Sequence, residues 1–203
     1  MADEPVTPRP ASTVILLRRS GKHETRGLQV LLVKRNPEAR FMPGVWVFPG
    51  GAVDAGDRGD GDEATYRACA ARELQEEAGI ELGPEPEMIL WSRWVTPEVV
   101  PIRFDTWFYL ALAPPHSPPQ PDGAETVDAG WFEPADALVR HRAGDIELVF
   151  PTIKQLEGLA EFASAEDLLD AARGSQVTPI LPRVTGEASE RRILLPGDRG
   201  YDG

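Results

Sequence analysis

The run Arg72-Glu73-Leu74-Gln75-Glu76-Glu77-Ala78-Gly79-Ile80 constrains this chain more than any other. Its spacing predicts a helix, and at 100° per residue Glu73, Glu76 and Glu77 fall within roughly 100° of one another on one face. Ala71, Leu74 and Ala78 fall on the opposite side, an apolar stripe that can be buried against a core. Like charges three and four residues apart destabilise a helix by about 0.2–0.5 kcal/mol per pair. Three carboxylates crowded in this way are better explained by a bound cation, and their hard oxygens select a divalent ion such as Mg²⁺ or Mn²⁺.

The flanking chain supports a helix set into a sheet. Ala11 to Arg19 and Leu28 to Arg35 are β-rich apolar runs joined by a polar loop, Ser20 to Gly27, and read as a hairpin whose loop, His23 included, is a solvated turn. Val45-Trp46-Val47-Phe48 is a short strand that stops at Pro49-Gly50-Gly51, and adjacent glycines allow close approach to the main chain. Asp54 to Glu63 is a Gly/Asp loop without the spacing of a calcium-binding hand, so it reads as solvated. Asp62 or Glu63 is expected to cap the helix and Gly79 to end it. Strands are expected at Glu87 to Val95, Arg103 to Ala113 and Asp128 to Glu133, and helices at Pro134 to Arg142, Pro151 to Phe162 and Ser164 to Ala172. This order predicts an α/β chain, a mixed sheet between helical layers.

Composition narrows the function. A net charge of −12 argues against a nucleic-acid or anionic-membrane surface, because both call for basic patches. No apolar window reaches membrane-spanning length, the start lacks a secretory leader, and Cys69 is the single cysteine, so a cytoplasmic protein that binds neither nucleic acid nor membrane is expected. The division expected is a flexible Pro-rich arm at 1–10, one domain at 11–174 and an extension at 175–203 with two short edge strands. That extension either packs on its own chain or reaches across a homodimer.

Glutamates on one helix face with a Gly-Gly turn ahead of them suit a site that activates water and neutralises a diphosphate, hence phosphoanhydride hydrolysis. No phosphate-binding P-loop or dinucleotide fingerprint competes with this, and His23, His116 and His141 have no ligand spacing.

At these residues the chain resembles the Nudix hydrolase family. Residues 72–80 match its R-E-hydrophobic-x-E-E-x-G-hydrophobic ending, and Phe48-Pro49-Gly50-Gly51 matches the strand that runs into Gly-Gly. The resemblance covers about residues 11–163 and implies an α/β/α sandwich built on a mixed β-sheet. It implies Glu76 and Glu77 as the main metal ligands, Glu73 as a further ligand or the base, and the carbonyl of Gly50 or Gly51 as a backbone ligand. Arg72 would orient the glutamates, and one more carboxylate would come from Glu125, with Asp128 and Glu98 as rivals. Arg35, Arg40 and Arg103 are candidate phosphate or base contacts.

Two departures stand out. The family usually has a glutamate eight residues before the arginine, where this chain has Ala64, and the interval from Gly51 to Arg72 is about seven residues longer than usual. Glu63 or Asp62 is expected to substitute for the missing carboxylate as the arginine's partner. Phe41-Met42-Pro43-Gly44, the long Asp-containing loop, Trp94-Val95-Thr96-Pro97 and Arg103-Phe104-Asp105-Thr106 look like the branch that includes coenzyme A and acyl-coenzyme A diphosphatases, although that branch's dedicated upstream motif is not matched. The resemblance therefore implies a small-molecule substrate, a nucleoside diphosphate linked to another moiety. The alternatives are an ADP-ribose, NADH or nucleotide-sugar pyrophosphatase, and a catalytically silent nucleotide sensor.

Overall fold

The first two apolar runs form antiparallel strands, β1 (Arg9–Arg19) and β2 (Leu28–Arg35), with Leu17 opposite Val30. The computed structural model describes residues 6–19, 27–186 and 192–201, so residues 1–5 of the arm and 20–26 of the hairpin loop, His23 among them, lie outside the described residues. Then follow β3 (Trp46–Val47), β4 (Gly50–Ala52), a 3-10 turn at Ala55–Asp57, and the long helix α1 (Asp62–Ala78). Next come β5 (Ile89–Val95), β6 (Phe104–Leu112) and β7 (Thr126–Phe132), then α2 (Pro134–Ala143), α3 (Phe150–Leu159) and α4 (Ala165–Arg173). Three short strands finish the chain: β8 (Pro179–Ile180), β9 (Arg183–Thr185) and β10 (Arg192–Leu194).

The main sheet runs β3-β2-β1-β6-β5-β8, with β4 added to β1 and β7 to β2. It is mixed: β1 lies parallel to β6, and β2, β4 and β7 pair antiparallel. Alternation along β1 sends Val14 and Leu16 to one face, against Ala70, Leu74 and Ala78 of α1, and Ile15 and Leu17 to the other, against Leu156, Leu159 and Leu168. Both faces are covered, which is why the central strands read as continuous apolar runs rather than alternating ones. The expected α/β/α sandwich is the observed fold. Leu74 is fully buried and contributes about 1.5–3 kcal/mol of transfer free energy, which seats α1 firmly on the sheet.

Element ends shift by up to three residues from expectation, and three differences go beyond that. Arg9 and Pro10, assigned to the arm by composition, already belong to β1: the Arg9 N–H donates to the Arg103 carbonyl at 2.9 Å and the Val53 N–H to the Pro10 carbonyl at 3.0 Å. The cap of α1 is Gly61, extended at a positive φ of 94°, and Asp62 and Glu63 sit inside the first turn, where their charges favour the helix dipole without capping. At the other end Gly79, at φ 65°, closes the helix through its N–H to Gln75 as expected. In the extension only β8 joins the sheet edge, parallel to β5, whereas β9 and β10 pair with each other. Ile180 and Leu195 pack against the core of their own chain. Among the described residues no helix is long and apolar enough to cross a membrane.

Candidate active site

The apolar stripe of α1 fixes the orientation of its acidic face. With Leu74 and Ala78 in the core, Glu73 and Glu77 are brought to the edge of the sheet beneath β4, 8% and 2% exposed, and Glu76 points outward. Gly50 and Gly51 are glycines for reasons of space. A Cβ on Gly51 would lie 2.4 Å from Oε1 of Glu73, and one on Gly50 would lie 2.3 Å from Oγ1 of Thr13 in β1. The Gly50 N–H donates to Oε2 of Glu77 at 3.0 Å, so the Gly-Gly turn touches both buried carboxylates.

Burial pushes the Glu77 carboxyl up to about 8, with the Gly50 hydrogen bond opposing and the charge of Glu73 adding to the rise. Burial also raises Glu73, against the pull of Arg72. Among the described residues Glu77 takes part in no ion pair, and a buried carboxylate without a cation is the group that gains most from a bound metal. The donor set, three glutamates and the glycine carbonyls, fits a hard oxygen-seeking dication that keeps some of its waters. Among the described residues no three candidate ligands are already gathered as a closed cluster. One oxygen each of Glu73 and Glu76 accepts from Arg72, and Oε2 of Glu77 accepts from the Gly50 N–H. Cys69 lies alongside, buried, its Sγ 3.6 Å from the Gly51 carbonyl, and burial holds its thiol at about 12, so it stays protonated.

Arg72 donates Nη1 to Glu73 and to Glu76 at 2.8 Å each. Its strongest partner is neither Glu63 nor Asp62. Glu63 pairs with Arg67 at 2.6 Å, and Arg72 is instead held in a fork by Asp57, Nε to Oδ1 at 2.8 Å and Nη2 to Oδ2 at 2.9 Å. Asp57 is 4% exposed, and the hydrogen bonds from Arg72 hold its carboxyl below the usual range. The loop read as solvated thus supplies a buried ligand for the arginine. It does so through a capping box in which Asp54 accepts the Gly56 N–H and Asp57 accepts the Asp54 N–H. The sequence does contain the signal. Counted forward from Gly51 rather than back from Arg72, the usual family interval reaches Asp57, and the extra residues fall after it.

Glu125 is brought to the same site. Its loop is joined to α1 by the Thr126 hydroxyl, which donates to the Glu77 carbonyl at 2.6 Å, and its charge is close enough to raise both Glu73 and Glu77. Glu125 and Arg35 line an open cleft of about 420 Å³ together with Asn36, Glu38, Ala39 and Ala124. Arg35 acts on Glu77 through space and donates Nε to the Phe41 carbonyl at 3.3 Å. Arg40 is exposed on the same loop. Arg103 is placed differently: it is 6% exposed, with Nη1 on the Val6 carbonyl at 2.6 Å and Nε on the Thr96 carbonyl at 3.0 Å, so its donors tie the arm to the β5–β6 loop. Asp128 is exposed in β7, its Oδ1 on the Ala129 N–H, and Glu98 is exposed in the β5–β6 loop.

Known proteins are similar to this chain in sequence and fold. The NUDIX domain model matches residues 7–150. The chain is 29% identical to a Caenorhabditis elegans protein provisionally named nudix hydrolase 7, over 95% of this chain and 74% of that protein. It is 26% identical to the Homo sapiens acyl-coenzyme A diphosphatase NUDT19, over 86% of this chain and 72% of the relative. The crystal structure of a NUDIX hydrolase from Alicyclobacillus acidocaldarius superposes with a TM-score of 0.72 at 26% identity, covering 81% of this chain and 96% of that one.

Proposed function

The chain belongs to the Nudix family, and from that premise we propose that it hydrolyses the phosphoanhydride of a nucleoside diphosphate linked to another moiety, with coenzyme A or an acyl-coenzyme A favoured. The observation that carries this reading is the buried pair Glu73 and Glu77, with Glu76 and Arg72 on the same helix face, set under the Gly50–Gly51 turn. Glu73, Glu76, Glu77, Glu125 and a carbonyl of Gly50 or Gly51 would hold Mg²⁺ or Mn²⁺. When bound, the cation would supply charge neutralisation for the diphosphate and acidify a water. The protein's own part is then orientation and proton handling. Arg72 aligns Glu73 and Glu76, Arg35 offers a guanidinium to a phosphate in the cleft, and Glu73 or Glu125 accepts the proton of the attacking water.

The coenzyme A preference is supported by the similarity to the human acyl-coenzyme A diphosphatase and by an apolar rim. Phe41, whose carbonyl accepts from Arg35 of the cleft, and Met42 are 37% and 39% exposed on the β2–β3 loop, and the Phe41 and Phe104 rings lie 6.3 Å apart. A polar cleft beside such a rim suits a substrate with a diphosphate and an apolar end better than it suits a nucleotide sugar. Asp57 stands as a carboxylate partner of Arg72 where Ala64 offers none, which supports hydrolysis over a catalytically silent sensor. The test is a panel of coenzyme A, a medium-chain acyl-coenzyme A, ADP-ribose, NADH and a nucleotide sugar with Mg²⁺ or Mn²⁺, products being identified by mass. The reading expects cleavage within the diphosphate and the highest kcat/KM on the coenzyme A compounds. A higher value on ADP-ribose, NADH or the sugar would replace the substrate assignment, and nucleotide binding without product would replace the reaction.

A further inference from the structure

The backbone that carries Glu125 is held by a residue from another loop. Asn36, the first residue after β2, donates its backbone N–H to the Glu125 carbonyl at 2.8 Å and its side-chain amide to the Ala124 carbonyl at 2.7 Å. Its Oδ1 accepts the Glu38 N–H at 2.9 Å, an Asx turn across Pro37. With the oxygen engaged there, the amide nitrogen is the end presented to Ala124, so one side chain both shapes its own loop and grips the next.

The opposite side of the same segment is equally fixed. The Asp122 carboxylate accepts the N–H of Glu125 at 3.0 Å and of Thr126 at 2.8 Å. The pairing of β2 with β7 slips at Lys34/Arg35, so that Arg35 stands opposite Thr126 and Val127 is the extra residue of a bulge. Bulges re-aim side chains, and here Thr126 turns inward to the Glu77 carbonyl while Val127 is exposed. Glu125 is therefore gripped through its backbone on both sides. Its carboxylate is exposed, with no hydrogen bond or ion pair among the described residues.

The geometry points to Asn36 as a positioning residue that acts through Glu125: by clasping the carbonyls of residues 124 and 125 it sets the Glu125 carboxylate beside the Glu77 end of α1. This assignment rests on the reading of the glutamates as a cation site. Residues that orient a ligand in this way typically change metal affinity or activity by about 10–100-fold when removed.

The test is a double-mutant cycle on the full chain, read by Mn²⁺ titration in electron paramagnetic resonance and, separately, by kcat and KM on an acyl-coenzyme A. Glu125→Gln and Asn36→Ala are each expected to weaken Mn²⁺ binding about 10-fold, and the double variant no further than Glu125→Gln alone. Asn36→Ser keeps an acceptor for the Glu38 N–H but is too short to reach Ala124, so it is expected to match Asn36→Ala and serves in its place if the alanine variant does not fold. Losses that multiply in the double variant, or wild-type affinity in Asn36→Ser, would overturn the proposal. If Glu125→Gln binds Mn²⁺ like the wild type while Glu77→Gln does not, the positioning role is wrong and the cation site stands. If Glu77→Gln also binds normally, the cation reading itself fails.

Discussion

Replacing Asp57 with Asn tests whether the 54–63 loop is part of the catalytic face. The change keeps the volume and one oxygen, but it removes the charge and turns an amide N–H toward a guanidinium that has nothing to accept it. Arg72 loses at least one of two bonds at 2.8 and 2.9 Å, at a pair whose side chains are 3% and 25% exposed. Breaking a fully buried pair costs about 3–5 kcal/mol. Arg72 keeps Glu73 and Glu76 and reaches some water, so we expect about 1.5–3 kcal/mol, a fall in Tm of roughly 4–10 °C for a chain of this size. The pH dependence fixes the cause. Arg72 lowers the pKa of Asp57 in the folded state, so this stability is fully present above the unfolded aspartate pKa of about 4 and is lost as pH falls through the folded value. Urea unfolding from pH 3 to pH 8 should show a wild-type advantage that is constant above about pH 5 and shrinks below about pH 4. A variant within 0.5 kcal/mol of wild type at pH 7, or a difference that does not change with pH, would refute the reasoning.

Two further perturbations separate packing from chemistry. In Gly51→Ala the atoms nearest the new methyl are those of the Glu73 carboxylate, the closest at 2.4 Å, so kcat/KM should fall at least about 10-fold with a smaller change in Tm than in Gly50→Ala. Gly50→Ala meets the Ser12 carbonyl at 2.6 Å and should instead destabilise by about 1–3 kcal/mol by forcing β4 off β1; differential scanning fluorimetry beside kinetics distinguishes the two. Arg103→Met should cost about 2–4 kcal/mol, because it strands the Val6 and Thr96 carbonyls, while KM stays within about twofold. A raised KM at unchanged Tm would return Arg103 to the substrate site.

Much of this site could be read without coordinates because it depends on local periodicity. Leu74 and Ala78 dictate which way α1 faces, and Glu73 and Glu77 follow at fixed angles. The Gly-Gly turn is legible as the stop of a short strand, while the contacts that make it glycine come from Thr13 and Glu73. What sequence reading missed depends on contacts between distant segments. Asp57 lay in a Gly/Asp loop whose composition reads as solvent-facing, and only the fork to Arg72 shows it buried. Arg103 looked like an available cation until its donors were found on carbonyls 97 and 7 positions away. The grip of Asn36 on residues 124 and 125, and the bulge that turns Thr126 inward, have no local pattern to announce them.

The most direct measurement of the central claim is Mg²⁺-dependent turnover of the best panel substrate by Glu76→Gln and Glu77→Gln, each checked for an unchanged circular dichroism spectrum. If these glutamates hold the cation, both variants lose at least about 100-fold in kcat. If both turn over at near the wild-type rate, the α1 carboxylates are not the catalytic metal site and the account fails.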